Sequence, residues 1–201
     1  MTEAVSQWKE FLDPETLRRR MLSAAMFLVA HEMLVVAIKQ RLHDFFLMGF
    51  DQYGLRYSSE YEERVLTLDP KGKRDPWRAS IVWLESMSAI DQTDKEKIKK
   101  CTDARNLFAH ELGEIISSRK KPDFEGLFPI LVELVIKVDK WWIVNVEAET
   151  DPDLADEKID VDQVVPGSQI MLSIIHQAAL GDIEAAKELY EAFVSGMAEA
   201  S

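Results

Sequence analysis

Cysteine is nearly missing from this chain. Its single copy, Cys101, rules out an internal disulfide and any cysteine-based zinc site, and a reducing, cytoplasmic setting fits that usage best. The four histidines, His31, His43, His110 and His176, lack ligand spacing, and no second histidine follows His31-Glu32 four residues on. No metal and no cofactor are therefore expected. A glycine-rich phosphate loop is also wanting: "DPKGKRDP" has one glycine and no strand-to-helix context, and reads as a solvated turn. Serine-nucleophile motifs are absent. Glycine (8) and proline (7) are scarce among 201 residues dominated by long periodic segments, which predicts helix, and 47% hydrophobic residues suffice for a real core. No alternation long enough for a sheet is evident.

Positive charge is in deficit. The net charge of −12 argues against non-specific wrapping of nucleic acid by the whole surface. The imbalance is concentrated in "EAETDPDLADEKIDVD", residues 147–162, where eight acids and one lysine stand together. Basic clusters remain at Arg18–Arg20, at Lys95, Lys97, Lys99 and Lys100, and at Arg119–Lys121; each reads as a solvated helix face.

One apolar run resembles a membrane span. "RRRMLSAAMFLVAHEMLVVAI" carries His31 and Glu32 at its middle, where a charge costs about 2.5–3.5 kcal/mol on insertion scales. The helical pattern then continues through Lys39, Arg41 and His43 with no small-residue cleavage site, so a buried bundle helix is expected and no membrane partner.

The chain divides into a helical bundle over 1–146, an acidic linker over 147–167 and a C-terminal helical segment over 168–201. Within the bundle a short helix covers 4–12. Asp13-Pro14 then opens a long helix reaching about Phe46. Residues 49–76 read as irregular, apart from one short helix near Ser59–Leu66. Further helices are predicted over about Trp77–Ile90, from Asp94 to Ser118 with Thr93 or Asp94 as cap and Glu96 near the capping-box position, and over about Phe124–Val146. Pro166-Gly167-Ser168 opens a last helix, about Gln169–Met197, with a break or kink signalled at Gly181-Asp182. The fold class expected is all-α: an antiparallel bundle of four main helices with an extra C-terminal helix. Trp141 and Trp142 read as core or interface anchors.

"DARNLFAHELGEII", residues 103–116, carries the polar residues that the packing pattern leaves unexplained. With Phe108 at zero and about 100° per residue, Cys101, Ala104, Leu112 and Ile115 fall within about 40° and form the core stripe. His110 falls about 200° away, with Asn106 and Asp103 beside it at about 160° and 220°; Arg105 lies on the flank at about 60°. Asn106 and His110 are an i, i+4 pair. Helical spacing does not bring all three onto one face, so a shared pocket needs a second surface. Ala109 and Gly113 keep that side low enough for another helix to approach.

"RNLFAH" resembles the R-x4-H motif of HEPN (higher eukaryotes and prokaryotes nucleotide-binding) domains, including the polar residue that often follows the arginine. The surroundings are similar too: a long first helix with a central polar residue, Glu32 in "FLVAHEMLVVAIKQRLHDFF", and a Trp-Leu helix, "ASIVWLESMSAID", before a charged helix leading into the motif. The likeness covers roughly residues 15–145. It implies a metal-independent endoribonuclease acting on RNA, with the motif helices of two subunits facing each other in a homodimer. Many members are toxins of toxin–antitoxin pairs or anti-phage effectors, which makes an antitoxin protein a further expected partner. Some carry a tyrosine two residues after the histidine as a modification target; Leu112 stands there here, which puts that control in doubt.

The residue types suit such chemistry. Metal-free RNA cleavage needs a proton removed from the 2′-hydroxyl, a proton supplied to the 5′-oxygen, and stabilisation of the charged phosphorane. Histidine titrates near neutrality and can transfer protons, and arginine offers a planar, permanent cation to phosphate. The expected roles are His110 as general acid/base, Arg105 as phosphate clamp and Asn106 as orienting group, with Glu32 and Asp103 as secondary candidates. The alternative is a non-catalytic helical interaction protein using the His110 face.

Overall fold

A computed structural model describes residues 3–52, 54–116, 122–152, 159–181 and 187, with the side chains of Glu3, Ala4, Ser6, Gln7, Leu112 and Ile116 outside the described set. The basic cluster Arg119–Lys121, residues 153–158 of the acidic stretch, and nearly all of the last helix expected beyond Gly181 lie outside it as well.

The protein is mostly helical. Helix α1 spans Glu3–Leu12 and α2 spans Pro14–Val35. Asp13 caps α2 by accepting from Thr16 N at 3.0 Å, and Pro14 occupies the first turn, where its missing N–H costs nothing. The helix passes through a π turn, Val36–Gln40, into α3, Arg41–Phe45. In the π turn, Arg41 N–H bonds Val36 O, one residue further back than in an α-helix. Ala37 O is thereby released, and Trp142 Nε1–H donates to it at 2.9 Å. The continuous helix Pro14–Phe45 is long and apolar enough to cross a membrane, and half of its most apolar window is buried in the fold. Phe27, Ala30, Leu34, Ile38 and Leu42 form its core side.

A β-hairpin follows, correcting the expectation of no strands: β1, Leu47–Asp51, pairs antiparallel with β2, Gly54–Tyr57. Each strand is only four or five residues long, and Gly49 (φ +143°) and Gly54 (φ +122°) adopt backbone conformations that favour glycine. Those glycines read as loop punctuation in the sequence. Helix α4, Ser59–Arg64, and a 3₁₀ turn, Leu66–Leu68, lead to the "DPKGKRDP" loop. That loop is a built turn, not a merely solvated one. The Asp69 carboxylate has no solvent exposure and accepts from the backbone N–H of Lys71, Lys73 and Asp75 and from Arg78 Nε and Nη2. The Arg78 guanidinium, with the backbone donors, holds its carboxyl far below the usual carboxylate range.

Helix α5 is Pro76–Ser86 and α6 is Gln92–Ile116. The expected cap of α6 is corrected by about one turn: Asp91 Oδ1 accepts from Asp94 N, and Asp94 Oδ2 accepts from Asp91 N, at 2.9 Å each. This is the reciprocal arrangement of a capping box, with Asp in place of Glu. Helix α7, Phe124–Trp142, continues through a second π turn, Ile143–Glu147, into α8, Ala148–Thr150. The start of the acidic stretch is therefore helix, not linker. Helix α9, Gly167–Leu180, packs on α2 and α7. Gly181, where the sequence signals a break or kink, is its C-cap, and a Cβ there would lie 2.6 Å from Gln177 O.

Helix α2 also packs against α6 and α7. The shared core joins Phe27, Leu34, Leu84, Ile98, Cys101, Ile115, Leu131, Leu134 and Val138. Trp83, Trp141 and Trp142 form a ring cluster at one end, with Trp83 stacked on Trp142 at 6.1 Å and 15°.

Candidate functional site

Helix α6 carries the R-x4-H residues, and its burial pattern follows the projection for the described side chains. Cys101 and Ile115 are buried, Ala104 and Phe108 half-buried, while Asp103, Asn106, Ala109, His110 and Gly113 are exposed. Asn106 and His110 thus lie one turn apart on the outward face. The helix is interrupted just after the motif: Glu111 has non-helical backbone angles, φ −130° and ψ 26°. Asp103 turns back along its own helix to Lys99 Nζ, 2.6 Å away, and is not part of the constellation.

Arg105 reaches the seam between α6 and α2. Its Nη2 lies 3.6 Å from Glu32 Oε1, so the structure brings together the primary arginine and the secondary glutamate. The two side chains are 41% and 60% exposed, so the pair is solvent-screened and contributes little to stability. Below the seam sits His31, which the metal-spacing argument set aside. It is buried, flanked by the rings of Phe27 and Trp77 at 6.4 Å each. Its Nε2 faces Thr102 Oγ1 at 3.5 Å. Its Nδ1 is buried without a hydrogen-bond partner, 3.9 Å from Glu32 Oε1. Burial pushes the His31 pKa below the usual histidine value; the Glu32 charge opposes that shift and the Arg105 charge adds to it. The signal for His31 was present in the sequence: Phe27, His31, Leu34 and Ile38 recur at i, i+4, i+7 and i+11, which puts this histidine on the core side.

An apolar crevice of about 270 Å³ lies along the same seam, lined by Leu17, Met21, Ala24, Leu28, Phe108 and Ile115. Since Thr102 and Arg105 meet His31 and Glu32 while Phe108 and Ile115 meet earlier residues of α2, the two helices run in opposite directions. A larger concavity, about 560 Å³, lies between α2, α7 and α9 beside Arg19, Glu125, Phe128 and His176, away from the R-x4-H residues.

Carboxylates face most of the basic clusters. Arg19 pairs with Glu125, Arg20 with Glu10, Lys95 with Glu85 and Lys97 with Glu133. Any anion reaching Arg105 would meet a counter-ion already beside it. Among the described residues, no group of three or more His, Cys, Asp or Glu side chains is arranged to hold a metal ion. Comparison with protein-family models, curated proteins and solved structures returned no match.

Proposed function

We propose that this chain is a metal-independent endoribonuclease of the HEPN type, acting in the cytoplasm as a homodimer whose two motif helices form one RNA-cleaving cleft. The observation that carries the reading is the exposure of Asn106 and His110 on the outward face of the same helix whose Arg105 stands 3.6 Å from Glu32. In the proposed reaction, one His110 takes the proton of the 2′-hydroxyl as that oxygen attacks phosphorus. The bond from phosphorus to the 5′-oxygen breaks, and His110 of the second copy protonates the leaving oxygen. The products are a 2′,3′-cyclic phosphate and a 5′-hydroxyl. Arg105 from each copy neutralises the non-bridging oxygens, and Asn106 orients the imidazole. A role as a toxin or anti-phage effector, restrained by an antitoxin protein, belongs to the same proposal, as does a four-helix antiparallel arrangement of the bundle.

The test is incubation of labelled RNA in EDTA with wild type, Arg105→Ala and His110→Ala. Loss of a proton-transfer group is expected to slow cleavage by about 10²–10⁴-fold. Cutting by His110→Ala at the wild-type rate removes the assignment. A second reading, a non-catalytic interaction protein, is favoured by the hairpin, where Met48, Phe50 and Leu55 are strongly exposed. RNA binding without cleavage in the same assay selects it.

A further inference from the structure

The seam between α2 and α6 holds one feature that neither the R-x4-H residues nor core packing accounts for: a buried imidazole nitrogen with no partner, directed toward the counter-ion of Arg105. We propose that His31 is a positioning residue that receives the Glu32 carboxylate when an RNA phosphate takes Arg105, so that Glu32 is a displaceable counter-ion shared between two donors. The inference rests on the reading of Arg105 as the phosphate clamp.

The geometry supports an exchange. Glu32 Oε1 stands 3.6 Å from Arg105 Nη2 and 3.9 Å from His31 Nδ1, beyond hydrogen-bonding distance of either. A charge-assisted N–H···O bond closes to about 2.7–2.9 Å. A side-chain movement of roughly 1 Å therefore decides which donor the carboxylate binds. The two donors differ in freedom. His31 is buried between Phe27 and Trp77, with Thr102 on its far nitrogen, and is fixed. Glu32 is well exposed and can move.

The tautomer fits as well. When the Thr102 hydroxyl donates to Nε2, the ring proton resides on Nδ1, the nitrogen that faces Glu32. A neutral imidazole can then accept a carboxylate without gaining a charge in the core. Without this receiver, Glu32 would stay beside the incoming phosphate as a like charge. With it, the carboxylate is held on the protein side and Arg105 is free to engage RNA. A buried unpartnered donor is otherwise costly to a fold, and ligand-linked use gives this one a reason.

The test uses a non-cleavable 2′-O-methyl oligouridylate of ten nucleotides, with binding read by fluorescence anisotropy and the histidine rings read by NMR of ¹⁵N-histidine-labelled wild type. At saturation the His31 Nδ1 proton is expected to move downfield as it bonds the carboxylate. Glu32→Gln is expected to bind the probe about two- to fivefold more tightly, the range an exposed ion pair supplies. His31→Gln, which loses the donor at the Nδ1 position, is expected to bind about two- to fivefold more weakly. His31→Asn keeps a donor there and is expected to bind like wild type. In the Glu32→Gln background, His31→Gln should have no further effect, whereas a merely structural histidine would act equally in both backgrounds. Equal weakening in both, or an Nδ1 proton unmoved at saturation, overturns the inference; the NMR arm uses wild type and stands even where a His31 variant fails to fold. Binding that ignores Arg105→Ala overturns the clamp reading, and the role of His31 falls with it. Arg105-dependent binding with an unmoved His31 refutes this inference alone.

Discussion

Replacing Trp142 by phenylalanine tests how the longest helix is held in register. The π turn at Val36–Gln40 gives Arg41 N–H to Val36 O and leaves Ala37 O to be satisfied by the Trp142 indole, 2.9 Å away in the core. Phenylalanine keeps a ring beside Trp83 but has no donor. A buried carbonyl left unpaired costs about 1–3 kcal/mol. The smaller ring adds about 1 kcal/mol for the space it vacates. The expected loss is thus about 2–4 kcal/mol, a large part of a small domain's stability. The helix cannot escape by reverting to regular α-geometry. Removing the extra residue from the turn would rotate everything after it by about 100°, turning Leu42 and Phe46 out of the core. Urea unfolding followed by far-UV circular dichroism measures the change, with Trp8→Phe at the exposed end of the chain as the control, expected within about 0.5 kcal/mol of wild type. A Trp142→Phe protein as stable as that control would refute the claim that the indole anchors the π turn.

Two further outcomes follow from the same structure. Asp69→Asn replaces a four-lone-pair acceptor by a group that must also present donors to backbone N–H and Arg78; thermal unfolding should show it less stable than Glu60→Gln, an exposed ion-pair variant, and equal melting temperatures would contradict the buried network. His31 and His43 both have folded pKa values depressed by burial, so the unfolded chain binds more protons as pH falls below about 6.5. Their contribution is fully present above that pH and is lost as pH drops through the folded values; His31→Gln should flatten the slope of stability against pH below about 6.5, and an unchanged slope would contradict its burial as the neutral form.

What the sequence makes legible depends on how local the physics is. Asp13-Pro14 and Asp75-Pro76 start helices because an acceptor and a fixed φ act within one turn, and both starts are where the residues put them. The cap of α6 was harder. "DQTD" offers three capping side chains in four residues, and only the three-dimensional register selects Asp91 with Asp94. The hairpin was hidden because its strands are short and its glycines occupy strand positions at positive φ. The π turns leave no residue signature at all. Asp69 is silent for a related reason, since most of its partners are backbone groups.

The candidate site divides along the same line. The outward position of Asn106 and His110 follows from helix geometry alone. The meeting of Arg105 with Glu32 requires knowing which helix lies alongside α6 and in which direction, and no periodicity within residues 103–116 contains that.

Gly113 offers a way to ask whether the outward face of α6 is closed by another helix. It lies beyond His110 on the exposed side, and a Cβ built there meets no heavy atom within 4 Å. In an isolated chain Gly113→Ala should therefore stabilise the fold, by about 0.5–1 kcal/mol from helix propensity. In a dimer whose motif helices cross near Ala109 and Gly113, the same methyl group occupies space that close backbone approach requires. The two effects have opposite signs and separate observables. Unfolding of dilute protein should show the gain, while sedimentation velocity should show weaker self-association and the EDTA cleavage assay a lower rate. A variant that is stabilised, self-associates as wild type does and cuts RNA undiminished would mean that no second helix comes close to α6 at this point. The shared cleft would then have to be built on another surface.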